Sequence, residues 1–193
     1  MRYPRVLTVA ILGLALALAG CSNGETGEST GKGFNDADVA FATNMMQHHA
    51  QALQMVDFTM GHDLDPEVQQ LADDIRAAQT PEIEKMADWL LDWDQPVPET
   101  VRDHANADGG GMDMGSDGPG MMSADDLQSL EQAEGTDFQQ MWLEMMIEHH
   151  EGAIAMAEEE QKSGEHPQAI AMAEDIAGAQ AEEISTMKDL LEG

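Results

Sequence analysis

Polar and apolar residues along this chain recur with the period of a helix, and they do so twice over. With Met45 set at 0° and each residue advanced by about 100°, Phe41, Ala52 and Val56 fall within about 40° of it. Asn44, Gln47, Gln51 and Gln54 fall on the outer side. The stretch from Asp36 to about Met60 therefore predicts an amphipathic helix with one buried stripe. Further on, Ile75, Gln79, Ile83, Met86 and Leu90 share a face, which predicts a second helix from Pro66 to about Asp92. Gly61 falls where the first helix should stop, and Pro66, preceded by Asp65, suits the first turn of the second.

The same pattern returns 101 residues later. Residues 36–92 align with 137–193 without a gap, and 17 of the 57 pairs are identical. Met45-x-x-His48-His49-x-x-Ala52-x-x-Met55 matches Met146-x-x-His149-His150-x-x-Ala153-x-x-Met156. Ile75-x-x-x-Gln79-x-x-Glu82-Ile83-x-x-Met86 matches Ile176-x-x-x-Gln180-x-x-Glu183-Ile184-x-x-Met187. A duplicated helical hairpin follows, with helices from Asp137 to about Lys162 and from Pro167 to about Leu191. Gly164 and Pro167 take the places of Gly61 and Pro66 as stop and start signals. Two such hairpins predict an all-α, four-helix bundle with pseudo-twofold symmetry. Helices of about 25 residues span roughly 38 Å. The crossover, 94–123, is Pro-rich and then Gly/Met-rich, which predicts irregular, mobile chain. Ser123 with Asp126 predicts a capped short helix over about 124–133.

The two stripes carry unexpected passengers. His48 lies about 60° to one side of Met45 and His49 about 40° to the other, so both imidazoles face inward. Gln79 sits in the middle of its apolar stripe, with Glu82 at the edge. The repeat doubles this into a polar layer of four His, two Gln and two Glu inside the bundle. Buried imidazoles are unfavourable unless a hydrogen bond or a metal satisfies them. The alternatives are a structural hydrogen-bond network and, for the methionines, plain core packing. Adjacent His residues point about 100° apart, so each faces a different neighbouring helix. A metal site would then be built between repeats rather than within one His–His pair. Met45 and Met146 share a face with their His pairs and could supply thioether sulfur beside imidazole. Thioether suits Cu(I) and imidazole serves Cu(I) or Cu(II), while zinc, also possible, more often takes His, Cys and carboxylate. The candidate ligands are His48, His49, Met45, His149, His150 and Met146, with Glu82 and Glu183 ligating or orienting the rings. A possible accessory metal site gathers His104, Met112, Met114, Met121 and Met122 in the crossover. His62 and His166 read as loop or cap residues.

Composition narrows the setting. Asp and Glu number 38 against 8 Lys and Arg, a net charge of −30, which excludes a nucleic-acid footprint and favours cations as partners. There is no P-loop, dinucleotide fingerprint or nucleophile–base signature. The Glu-x-x-His motif of a di-iron centre is missing too, since Met45, Met46, Met146 and Ile147 occupy the positions three residues before the four His. The only Cys is Cys21, after a basic Arg2/Arg5 segment and an apolar run from Val6 to Ala19 too short to span a membrane comfortably. Leu18-Ala19-Gly20-Cys21 resembles a bacterial lipobox, which implies a signal peptide over 1–20, lipidation of Cys21, and export to the envelope. Residues 21–33 read as the lipidated Cys and a flexible tether, and 34–193 as the duplicated domain.

The Met-x-x-His-His-x-x-Ala-x-x-Met and Gln-x-x-Glu-Ile-x-x-Met elements, each present in both repeats, resemble the family known as domain of unknown function three hundred and five. The likeness covers about 34–192 and implies a ferritin-like fold and copper binding in the cell envelope. Asp38 sits where that family usually has an acidic residue, and its counterpart Gln139 departs from the pattern. The expectation is an envelope lipoprotein that binds a transition metal, copper first, for sequestration, tolerance or trafficking. The alternatives are a metal-free helical interaction module and a metal-dependent redox enzyme, although nothing in the sequence demands catalysis. No protein partner is legible.

Overall fold

The computed structural model describes residues 33–99 and 118–193. Cys21 and the tether, and with them His104, Met112 and Met114, lie outside the described residues. Among the described residues all regular structure is helical: α1 (Asp36–Phe58), α2 (Pro66–Asp92), α3 (Ala124–Gln132), α4 (Gly135–Ser163) and α5 (Pro167–Glu192). None of these helices is long and apolar enough to cross a membrane.

The ends are set by local chemistry. Asn35 caps α1 by accepting from Ala37 and Asp38 N–H, and Asp38 returns the bond to the Asn35 N–H at 2.6 Å. Asp65 caps α2 ahead of Pro66, and Ser123 with Asp126 forms a capping box on α3. His166 caps α5 through Nδ1, which accepts from the Ala169 N–H at 3.2 Å. His166 and His62 are thus cap and loop residues, and His62 stacks on Phe138 at 3.8 Å.

The core falls into two apolar clusters. One gathers Met55, Val56, Leu71 and Ile75 from the first repeat with Phe138, Trp142, Met146 and Met187 from the second. The other gathers Phe41, Met45, Met86 and Leu90 with Ala153, Ala157, Ala173 and Ile176. Adding 101 to positions in one cluster leads into the other, as Val56 to Ala157 or Ile75 to Ile176. The repeats therefore pack antiparallel about a twofold axis that crosses the middle of the bundle. Each fully buried large side chain contributes about 1.5–3 kcal/mol, and the two clusters offset what lies between them.

The hairpins meet mainly along α1 and α4, while α2 and α5 make few contacts. Between α2 and α5 a cleft of about 760 Å³ remains, lined in part by Glu67, Asp74, Glu182, Glu183 and Asp189. The opposite side, over α1 and α4, is covered by α3 and the end of the crossover. Residues 118–122, expected to be irregular and mobile, are irregular but docked there. Gln51, expected on the outer face of α1, is buried for the same reason. Its side chain donates to the Met122 carbonyl at 3.0 Å and accepts from the Met122 N–H at 2.8 Å.

Each hairpin also grips the other at its ends. Asp38 accepts from the backbone N–H of His166 at 2.8 Å and of Glu165 at 3.1 Å. At the equivalent place the Asp65 N–H donates to Gln139 at 2.8 Å. The acidic residue and its polar counterpart thus do the same structural task, Asp38 in the interior and Gln139 at the surface.

Candidate metal centre

Between the two apolar clusters lies the polar layer. His48, His49, His149 and His150 are all buried, on the facing sides of α1 and α4. Helical geometry sends neighbours to different partners, as the 100° step requires. His48 and His149 turn toward each other across the repeats, their ring centroids 3.7 Å apart and their planes tilted by 38°. Because they are equivalent positions in contact, they mark the twofold axis. His49 turns toward α2, where Nε2 meets Glu82 at 2.8 Å, and His150 toward α5, where Nε2 meets Glu183 at 2.7 Å. The Glu side chains are partly exposed, at 23% and 19%, so each pair joins a buried ring to an outer carboxylate.

Hydrogen bonds fix the protonation of these rings. A carboxylate accepts, so His49 and His150 each donate from Nε2 and turn Nδ1 away from the carboxylate. His48 donates from Nε2 to the Pro119 carbonyl at 3.1 Å, with the same consequence. Among the described residues, His149 has no protein partner at either nitrogen. Nδ1 of His48, His49 and His150 is likewise buried and unpartnered, as is Oε1 of Gln79 and of Gln180. Each unsatisfied buried group costs about 1–3 kcal/mol. A layer with this many is poor as a structural network and suited to a ligand that completes it. Burial first, then the neighbouring His49, pushes His48 down to about 3. Burial and the neighbouring imidazoles push His149 well below its ordinary value. Both rings are neutral at physiological pH, the form that can donate a lone pair to a metal.

Met45 and Met146, one turn before their His pairs, are fully buried but in opposite clusters. The structure thus brings His48 to His149, and each outer His to its Glu, while the two sulfur atoms flank the layer from opposite ends. Among the described residues no three His, Cys, Asp or Glu side chains converge as a ready ligand set. Met122 is buried in the core and Met121 is half-buried.

Three participants were hidden from the sequence. Gln51 and the Pro119 carbonyl act through the docked crossover, which no helical wheel can place. Glu160 is buried beside Asp38 at the end of α4, and burial followed by the Asp38 carboxylate pushes it up to about 8. Neither Glu160 oxygen forms a well-shaped hydrogen bond, so burial and charge hold its proton. Its place among Glu158, Glu159 and Glu160 disguised it as part of a solvated run.

Comparison with known proteins gives a consistent answer. The profile of one family, Domain of unknown function (DUF305), matches residues 38–191. A DUF305 fragment from Deinococcus radiodurans superposes with a TM-score of 0.69 at 28% identity, covering 82% of this chain and 97% of its own. A DUF305 protein from Streptomyces coelicolor gives 0.69 at 29% identity, over 81% and 92%. CopM in its Cu(II)-bound form gives 0.65 at 30% identity, over 80% and 95%. Structures of CopM with Cu(I) and with Ag are also similar to this fold. No curated protein matches the chain.

Proposed function

Because this chain belongs to the DUF305 family, we propose that it binds a transition metal, copper foremost, at the layer where its two repeats meet. The observation that carries this reading is the contact of His48 with His149, two neutral imidazoles whose free nitrogens have no partner among the described residues. CopM, similar over most of its length, has structures with Cu(I), Cu(II) and Ag bound. Ions shared between Cu(I) and Ag(I) are soft, and soft ions favour imidazole with thioether sulfur.

In this reading His48 and His149 hold the ion, Met45 or Met146 adds sulfur, and His49 and His150 complete the layer. Glu82 and Glu183 orient the outer rings by accepting from Nε2, the usual task of a carboxylate behind a metal-binding His. The acidic surface raises the local concentration of cations. Copper here is cargo to be held or passed on, without a catalytic step. Lipidation at Cys21 would tether the bundle outside the cytoplasm, with residues 22–33 as spacer. Met121 and Met122, with His104, Met112 and Met114, form the proposed accessory site.

The test is a titration of the full-length protein, purified in detergent, with Cu(I) under anaerobic conditions, Cu(II) and Zn(II), read by native mass spectrometry. Retention of copper after chelator challenge is expected. Failure to retain any of the three ions would favour the metal-free interaction module.

A further inference from the structure

The duplication makes His48 and His149 equivalent, yet their surroundings differ, and the difference is the crossover. Residues 118–122 lie across α1 and α4 beside the His pair. The Pro119 carbonyl accepts from His48 Nε2 at 3.1 Å, and among the described residues no counterpart reaches His149. The seat for this segment is specifically built. Gly152 on α4 faces it, and a Cβ there would collide with the Pro119 carbonyl and stand 2.7 Å from the Gly120 Cα. Gly120 has a φ of +71°, a conformation that favours glycine, and a Cβ there would stand 2.5 Å from the Glu148 carbonyl oxygen. Gln51 on α1 exchanges two hydrogen bonds with the backbone of Met122, whose side chain enters the core. Gln51 and Gly152 are the same position in the two repeats. One copy carries a long side chain that grips the segment, and the other carries none and lets the segment in.

Resting on the metal-binding reading above, we infer that residues 118–122 are a positioning strap that makes the site asymmetric, fixing His48 as the ligand that presents Nδ1 and leaving His149 adjustable. A carbonyl oxygen can only accept, so the strap holds His48 in the tautomer protonated at Nε2. Glu82 and Glu183 do the same for His49 and His150. Three of the four imidazoles are therefore oriented before any ion arrives, and His149 is the one whose tautomer and tilt can follow the ion. A soft ion such as Cu(I) that changes geometry on oxidation suits one fixed and one adjustable imidazole.

Long-range proton–nitrogen NMR of the metal-free, full-length protein with ¹⁵N-labelled His reads the tautomers directly. In the wild type, His48 is expected purely in the Nε2–H form. Gly152→Ala, which pushes the strap out, and Gln51→Leu, which releases it, are each expected to give a mixture at His48. His49 and His150 should keep their Nε2–H signals, which verifies that the bundle remains folded. A wild-type His48 protonated at Nδ1, or an unmixed Nε2–H form in both variants, overturns the strap. The same variants are then titrated with Cu(I) against a competing chelator. Affinity should fall by about 10–100-fold, the usual effect of losing an outer partner of a ligand. Mixed tautomers with unchanged copper affinity overturn His48 as a ligand, and so the metal reading, while leaving the strap in place.

Discussion

His48 and His149 lie ring to ring, 3.7 Å between centroids, where the two halves of a duplicated sequence meet. A folding core would gain from apolar side chains at this point. The bundle instead keeps two rings whose free nitrogens no group among the described residues satisfies. Stability and binding should therefore pull in opposite directions here. His149→Leu replaces an unsatisfied polar ring with an apolar side chain, which is neutral or stabilising by about 1–3 kcal/mol. Thermal unfolding of the metal-free variant should occur at or above the wild-type temperature, and its stabilisation by copper should vanish. A variant much less stable than wild type would mean that His149 has a structural partner.

Glu82 and Glu183 should behave alike, because each accepts from the equivalent ring of its own repeat at 2.8 and 2.7 Å. Glu82→Gln and Glu183→Gln are each expected to weaken copper binding by about 10–100-fold. Competition titrations of the two single variants measure this, and a large effect from one alone would contradict the twofold arrangement.

The clasp between hairpins is uneven. Asp38 is buried and accepts from the backbone N–H groups of Asn35, Glu165 and His166. Burial alone would raise its carboxyl, but these bonds and the neighbouring Glu160 hold it below its ordinary range. Asp38→Ala leaves buried N–H groups unpaired and should cost about 2 kcal/mol or more, whereas Gln139→Ala, at the surface, should cost about 1 kcal/mol or less. Urea denaturation of both variants decides this, and equal losses would contradict it.

The metal-free protein should be most stable at about pH 6.5. His48, depressed from 6.5 to about 3, stays neutral when folded and takes up a proton on unfolding. Its contribution is present above pH 6.5 and is lost as pH falls toward 3. His149 is shifted in the same direction. Glu160 is raised from 4.5 to about 8, so its contribution is present below pH 4.5 and is lost as pH rises toward 8. Between about pH 4.5 and 6.5 the two imidazoles outweigh the one carboxyl, so stability still rises with pH, and above about pH 6.5 only the Glu160 trend acts. Glu160→Gln is expected to flatten the decline between pH 6.5 and 8. Denaturation at pH 6.5 and pH 8 reads it, and a wild-type protein equally stable at both would contradict the shift.

Much of this architecture was legible in the sequence, because helices obey a local period and duplication reveals which positions matter together. Pro66 and Pro167 marked helix starts, and the 100° step alone separated His48 from His49. That step also required partners from different helices, which His149 and Glu82 proved to be. What remained hidden depends on contacts distant in sequence. Gln51 looked solvent-facing on a helical wheel until Met122, 71 positions away, covered it. Glu160 looked like one carboxylate in an exposed run until Asp38 closed over it. The Pro119 carbonyl is a backbone atom in a Gly-rich stretch and left no side-chain signal at all.

The most direct test of copper binding between the repeats is a competition titration of Cu(I) against the wild type and the His48→Leu/His149→Leu double variant. Both rings are on the axis, and because His48→Leu removes the donor to the Pro119 carbonyl, the double variant is first shown to be folded by circular dichroism. The double variant should lose tight copper, by more than the about 10–100-fold expected from removing an outer carboxylate. An unchanged affinity and stoichiometry in a folded double variant would contradict the site.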